Sequence, residues 1–139
     1  MIERMVVAWD DSDKARRAFE FALEIAAKLG AELHVLSVAQ PPEPPVAVEM
    51  DAVLEAAEEY YQRSWEPLRQ QALAAGVAPV FEVRVGHPAD QIVRYAAQSE
   101  ADMIVMGHRG RSSFIDRWLL GSISKRVLSY ATCTVTIVR

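Results

Sequence analysis

The sequence predicts one doubly wound α/β domain, a parallel sheet with helices on both faces. Three observations predict it. Short runs rich in Val, Ile, Leu and Met, apolar at nearly every position, have the pattern of strands buried on both faces. Segments with apolar residues three and four apart separate those runs, as amphipathic helices require. The two kinds of segment alternate without a break, as βαβαβαβαβ, over 139 residues, which is one domain's worth of chain and enough to bury a core. Right-handed crossovers then bring every strand's C-terminal end to one edge of the sheet.

Met5 to Trp9 is the first strand and runs into Asp10-Asp11-Ser12. Ser12 or Asp13 caps the next helix, with Asp11 expected to serve the cap as well. The apolar face of that helix is Ala15, Ala18, Phe19, Ala22, Ile25, Ala26 and Leu29, and Gly30 stands where a helix end favours positive φ. Leu33 to Ala39 is the second strand. Gln40-Pro41-Pro42-Glu43-Pro44-Pro45 is a stiff loop, because proline lacks an amide proton and restricts its predecessor. Glu49 to Ala75 is a long helix that Pro67 should kink or split and Gly76 ends. Tyr60, Tyr61 and Trp65 on it read as packing residues. Val80 to Val85 is the third strand, Gly86-His87-Pro88 a turn, and Ala89 to Ser99 a short helix with Ile92, Val93 and Ala96 inward. Met103 to Met106 is the fourth strand. A glycine segment, Gly107 to Ser122, leads to a last helix, Ser122 to Tyr130, and an edge strand, Thr134 to Val138.

Composition narrows the function. A net charge of -4 disfavours general binding to nucleic acid or anionic membrane. No apolar run reaches the ~18 residues of a membrane span, and no secretory leader pattern opens the chain. Cys133 is the single cysteine, so neither an intrachain disulfide nor a cysteine metal cluster forms. A reducing, cytoplasmic setting fits, with Cys133 an inert thiol. His34, His87 and His108 have no metal-ligand spacing. His34 reads as a packed sheet residue and His108 as solvent-exposed, with a phosphate contact its functional alternative. No Ser/His/Asp arrangement stands out, so no catalytic residue is assigned. Asp10-Asp11 also resembles the acidic pair of a receiver domain. The partner positions after the third and fifth strands, an Asp and a Lys, are not filled.

The chemistry gathers at the edge where strands end. Gly107-His108-Arg109-Gly110 follows the fourth strand, and two glycines three apart let backbone amides approach a ligand. Gly121-Ser122 opens the last helix, whose first amides and dipole favour an anion. Arg109 and Arg111 add positive charge. The dipole contributes ~0.3–1 kcal/mol and each hydrogen bond to a charged phosphate ~1.5–3 kcal/mol, together consistent with roughly micromolar binding. Neither GxxxxGK[ST] nor GxGxxG is present.

From VVAWDDSDKARRAFEFALEIAAKLGAELHVLSV to MGHRGRSSFIDRWLLGSISKRVLSYATCTVTIV, the sequence resembles the universal stress protein family along its whole length. The second segment resembles that family's G-x2-G-x9-G-[ST] nucleotide motif. The resemblance implies a five-stranded parallel sheet in the order 3-2-1-4-5, of the adenine nucleotide alpha hydrolase-like kind, and a homodimer through the last strand. It also implies ATP as ligand, with Mg a possible companion. By resemblance, Asp10 holds the nucleotide near the ribose, beside Ala8 and Trp9, and Val38 contacts adenine. Met106, Gly107 and Gly110 form the phosphate loop, and Gly121, Ser122, Ile123 and Ser124 receive the phosphates. Three departures stand out. Ten residues separate Gly110 from Gly121 where the family pattern has nine, which turns a helix by about 100° unless a loop absorbs it. Trp9 replaces a smaller residue and would either stack on a base or crowd the site. Thr134 stands where proline is common. The resulting expectation is an ATP-binding regulatory protein of stress response, non-catalytic or a very slow ATPase. The alternatives are a nucleotide-free dimeric interaction module of the same fold, and an ATP-using enzyme.

Overall fold

The computed structural model describes residues 1–41, 47–108 (47–49 by backbone only) and 120–139. In chain order the elements are β1 (Arg4–Ala8), α1 (Asp13–Leu29), β2 (Glu32–Ala39), α2 (Ala47–Ala74), β3 (Val80–Val85), α3 (Pro88–Gln98), β4 (Met103–Gly107), α4 (Ser122–Tyr130) and β5 (Thr134–Val138). The strands form one sheet in the order β3-β2-β1-β4-β5, and every pairing is parallel. Met5 on β1 sits opposite Leu33 on β2 and Met103 on β4. The sheet grows from β1 through β2 to β3 in one direction and through β4 to β5 in the other. The strand order therefore reverses between β1 and β4.

Two cores follow from the period-2 geometry of a strand. Val7, Val35 and Val105 turn toward α1 and α2, where they meet Phe19, Trp65 and Leu68. Val6, Leu36 and Ile104 turn the other way, toward Ile92 of α3 and Val127 of α4. Because both faces are covered, the central strands carry no polar alternation.

Local signals place the ends of α1. The Ser12 side chain accepts the Ala15 amide at 3.1 Å, and Gly30 adopts φ 66 while its amide returns to the Ala26 carbonyl. Asp11 has a different role from the expected one. It adopts φ 64, a conformation Asp tolerates better than most residues, and its carboxylate accepts the Tyr60 hydroxyl at 2.8 Å. That bond, and then the Asp11 charge, raise the Tyr60 phenol above its usual range. Tyr60 is accordingly exposed rather than packed, whereas Trp65 is buried and Tyr61 partly so.

Pro67 does not split α2. It lies on the exposed side, while Trp65, Leu68 and Ala72 on either side of it are buried. Each large buried side chain contributes ~1.5–3 kcal/mol, enough together to outweigh the ~3 kcal/mol cost of an interior proline.

His34 packs in the sheet as expected, its Nδ1 2.6 Å from the Tyr95 hydroxyl and its Nε2 2.7 Å from Glu32. The His34 bond, then the one from Arg4, hold the Glu32 carboxyl below its usual range. Cys133 is half-buried, and burial pushes its thiol upward, away from the reactive thiolate. His108 is not solvent-exposed: 4% of it is accessible. Its amide donates to the Val138 carbonyl at 2.7 Å, extending the β4–β5 pairing by one residue and drawing the ring inward. Its Nε2 is buried with no hydrogen-bond partner among the described residues. No helix among the described residues is long and apolar enough to cross a membrane.

Candidate functional site

A cleft of about 290 Å³ opens at the C-terminal edge, where the strand order reverses. Parallel sheets bind ligands at this crevice, and pockets for small molecules start at roughly 300 Å³. Its floor is apolar. Ala8, Leu36, Val38 and Met106 supply it from the ends of β1, β2 and β4, and Pro88 and Ile92 close it from α3. Asp10, Ser12 and Lys14 line one rim and Gln40 adds a polar group after β2.

The start of α4 forms the other side, through Gly121, Ile123 and Ser124. Gly121 is the N-cap and, having no side chain, makes no capping bond. The first helical hydrogen bond runs from the Lys125 amide to the Gly121 carbonyl at 3.0 Å. The amides of Ser122, Ile123 and Ser124 lie ahead of that ladder, where a helix has no internal acceptor to offer. α1, in contrast, caps itself through Ser12. The positions of α3 and α4 on the cleft are joined by Arg126, whose Nε lies 3.0 Å from Asp90. Both groups are well exposed, so the pair contributes at most ~1 kcal/mol.

Asp10 is exposed but held. Its Oδ1 accepts the Ser12 amide at 3.1 Å and the Ser12 hydroxyl as well. Since that hydroxyl also takes the Ala15 amide, the carboxylate is tied to the positive end of α1. Tyr61 stands close enough to feel it: burial first, then the Asp10 charge, raises its phenol.

Of the residues singled out from sequence, the cleft collects Ala8, Trp9, Asp10, Val38, Met106, Gly107, Gly121, Ile123 and Ser124. Ser122 is exposed at the first position of α4 and does not line it. Arg109, Gly110 and Arg111 lie outside the described residues. The Trp9 ring is committed elsewhere. It is 2% exposed in the core under α1 and α2, and its Nε1 donates to Ser64 Oγ at 3.0 Å. It is therefore not free to stack on a base. Gly107 serves packing: an added Cβ would stand 2.5 Å from the Lys14 carbonyl oxygen, so its missing side chain lets α1 approach β4. Sequence reasoning missed Lys14, Ala15, Leu36 and Ile92, and gave no site role to Ser12, Gln40 and Pro88, which follow strand ends. Leu36 was detectable, being two residues before Val38 and so on the same strand face. Pro88 and Ile92, four apart, share a helix face, but nothing in the chain said which strand ends that face would meet.

The universal stress protein family model matches residues 1–139. A universal stress protein of Methanocaldococcus jannaschii is 31% identical over 142 residues, covering 100% of this chain and 83% of that protein. One from Thermus aquaticus is 33% identical over 141 residues, covering 100% of both. A solved universal stress protein in complex with cAMP superposes with a TM-score of 0.76 at 30% identity, covering 99% of this chain and 97% of that one.

Proposed function

The chain belongs to the universal stress protein family, and on that premise we propose that it binds an adenine nucleotide in the β1–β4 cleft and acts through nucleotide occupancy. One observation carries the reading: α4 presents an N-terminus without a side-chain cap to the same cleft that offers an apolar floor. An apolar slot suits a base, and free helix amides suit a phosphate. In this arrangement the base lies over Val38, Leu36 and Met106. Asp10 takes the ribose hydroxyls, and the phosphates meet the α4 amides together with Gly107, Arg109, Gly110 and Arg111. The cAMP seen with the solved relative contains the same three parts: adenine, ribose and a phosphate. ATP is the proposed ligand, with Mg²⁺ as the companion of its phosphates. The burial of the Trp9 ring removes one argument for a nucleotide-free module, since the ring does not compete for the base position.

The test is direct. Protein purified from cells and denatured is expected to release an adenine nucleotide. Calorimetric titration with ATP is expected to give a roughly micromolar Kd, which Gly110→Val should weaken strongly. No released nucleotide together with no heat on titration of the wild type would sink the reading.

We further propose a homodimer through β5. This strand is one edge of the sheet, with side chains largely half-exposed and, among the described residues, no strand paired to its outer side. Light scattering should then return twice the chain mass, and a monomer at all concentrations would rule the dimer out.

A further inference from the structure

We infer that Lys14 sets the charge preference of this cleft, by recognising an anionic group so that the site favours a phosphorylated nucleoside over the nucleoside alone. The inference rests on the adenine-nucleotide reading above. Lys14 is half-buried and lines the cleft, and it is the only cation among the described residues that do so. Its place is fixed by packing. The Cβ that Gly107 lacks would stand 2.5 Å from the Lys14 carbonyl oxygen and 2.9 Å from its Cβ. The residue is thereby held against the end of β4, where the glycine segment begins.

Nothing in the fold itself calls for a cation at this position. Lys14 is the second residue of α1, at the end of a helix where the dipole disfavours positive charge. Asp13 beside it is the residue type that position favours. Arg4, Lys28, Arg63, Arg69, Arg84 and Arg126 each have a carboxylate partner. The Lys14 ammonium has none among the described residues. Asp10, the acidic residue among the described lining of the cleft, turns Oδ1 to Ser12. An ammonium on the flexible stem of a half-buried residue, lining the same cleft as the start of α4, suits a phosphate whose position varies with chain length. The Lys14 charge and the α4 amides then act on the same end of the ligand.

The experiment titrates ATP and adenosine into wild type, Lys14→Met, Lys14→Gln and Lys14→Arg. Arg17→Met is the control: it removes the same charge from the exposed side of α1, away from the cleft. Lys14→Met and Lys14→Gln are expected to weaken ATP about tenfold, the size of one charge-assisted hydrogen bond, and adenosine by less than about twofold on the same basis. Lys14→Arg should restore most of the ATP affinity, Arg17→Met should change neither ligand, and thermal midpoints should match the wild type. A parallel loss for ATP and adenosine, an unchanged ATP affinity, or an equal loss in Arg17→Met overturns the role of Lys14 while nucleotide binding stands. Wild type that binds neither ligand overturns both readings.

Discussion

Gly107 and Lys14 meet so closely that no side chain fits between β4 and α1: a Cβ on Gly107 would stand 2.5 Å from the Lys14 carbonyl oxygen and 2.6 Å from its carbonyl carbon. The obstacle is helix backbone, which cannot rotate aside as a side chain would. Gly107→Ala must therefore push α1 away from the sheet or bend the end of β4. Overpacking of this kind costs ~1–3 kcal/mol, so urea unfolding should show a loss in that range. The same shift moves Lys14, and ATP affinity should fall with it. A variant as stable as the wild type would show that α1 yields freely, contrary to its burial through Phe19, Ala22 and Ala26.

Gly121→Asp separates stability from binding. Gly121 has φ -63 and ψ 159, extended backbone that any residue adopts. An aspartate there caps α4 as well as glycine does, or better by a few tenths of a kcal/mol, and complements its dipole. It also places a carboxylate where the proposed phosphate would bind. The thermal midpoint should stay level or rise. Calorimetric affinity for ATP should fall more than about tenfold, from the loss of at least one charge-assisted bond and the new repulsion, with adenosine far less affected. Retained ATP affinity in a folded variant would place the phosphates elsewhere.

Asp102 gives the acid side of the stability profile a specific origin. Its Oδ2 accepts the amides of Glu3 at 2.8 Å and Arg4 at 3.0 Å. Those backbone bonds, Glu3 first, hold its carboxyl below the usual aspartate range. With the folded value depressed, the unfolded chain takes up the proton first as pH falls. The contribution is complete above the ordinary aspartate range and is lost as pH drops through it toward the folded value. Denaturant unfolding of wild type between about pH 6 and pH 2 should therefore show a falling midpoint. Asp102→Asn should lower stability at neutral pH and flatten the acid slope. Parallel slopes for the two proteins would assign the acid sensitivity to other groups.

The alternation of strand and helix was legible because each element carries its own signal. Ser12 caps α1 by bonding an amide three residues away, and Gly30 closes the same helix onto Ala26. Val80 to Val85 was bounded correctly because Pro79 and Gly86 flank it, and Thr134 to Val138 because it is a short β-branched run. The resemblance added the strand order, which composition and spacing do not contain.

The remaining features depend on contacts between residues distant in the chain. Trp9 was legible as apolar, but only the docking of α2 beside β1 supplied Ser64 as its hydrogen-bond partner and committed its ring to the core. The same docking gave Asp11 the Tyr60 hydroxyl instead of a cap. His108 is buried because the sheet ladder continues one residue past β4 to the Val138 carbonyl. Lys14 entered the cleft because a glycine on another strand let α1 come close. Hydrogen-bonding patterns within four residues are written in local sequence, so the sequence by itself determined the order of the elements and the Ser12 and Gly30 ends of α1. Which face of the sheet each helix covers is decided by burial summed over the whole chain, and the tertiary structure alone decided which side chains share the cleft.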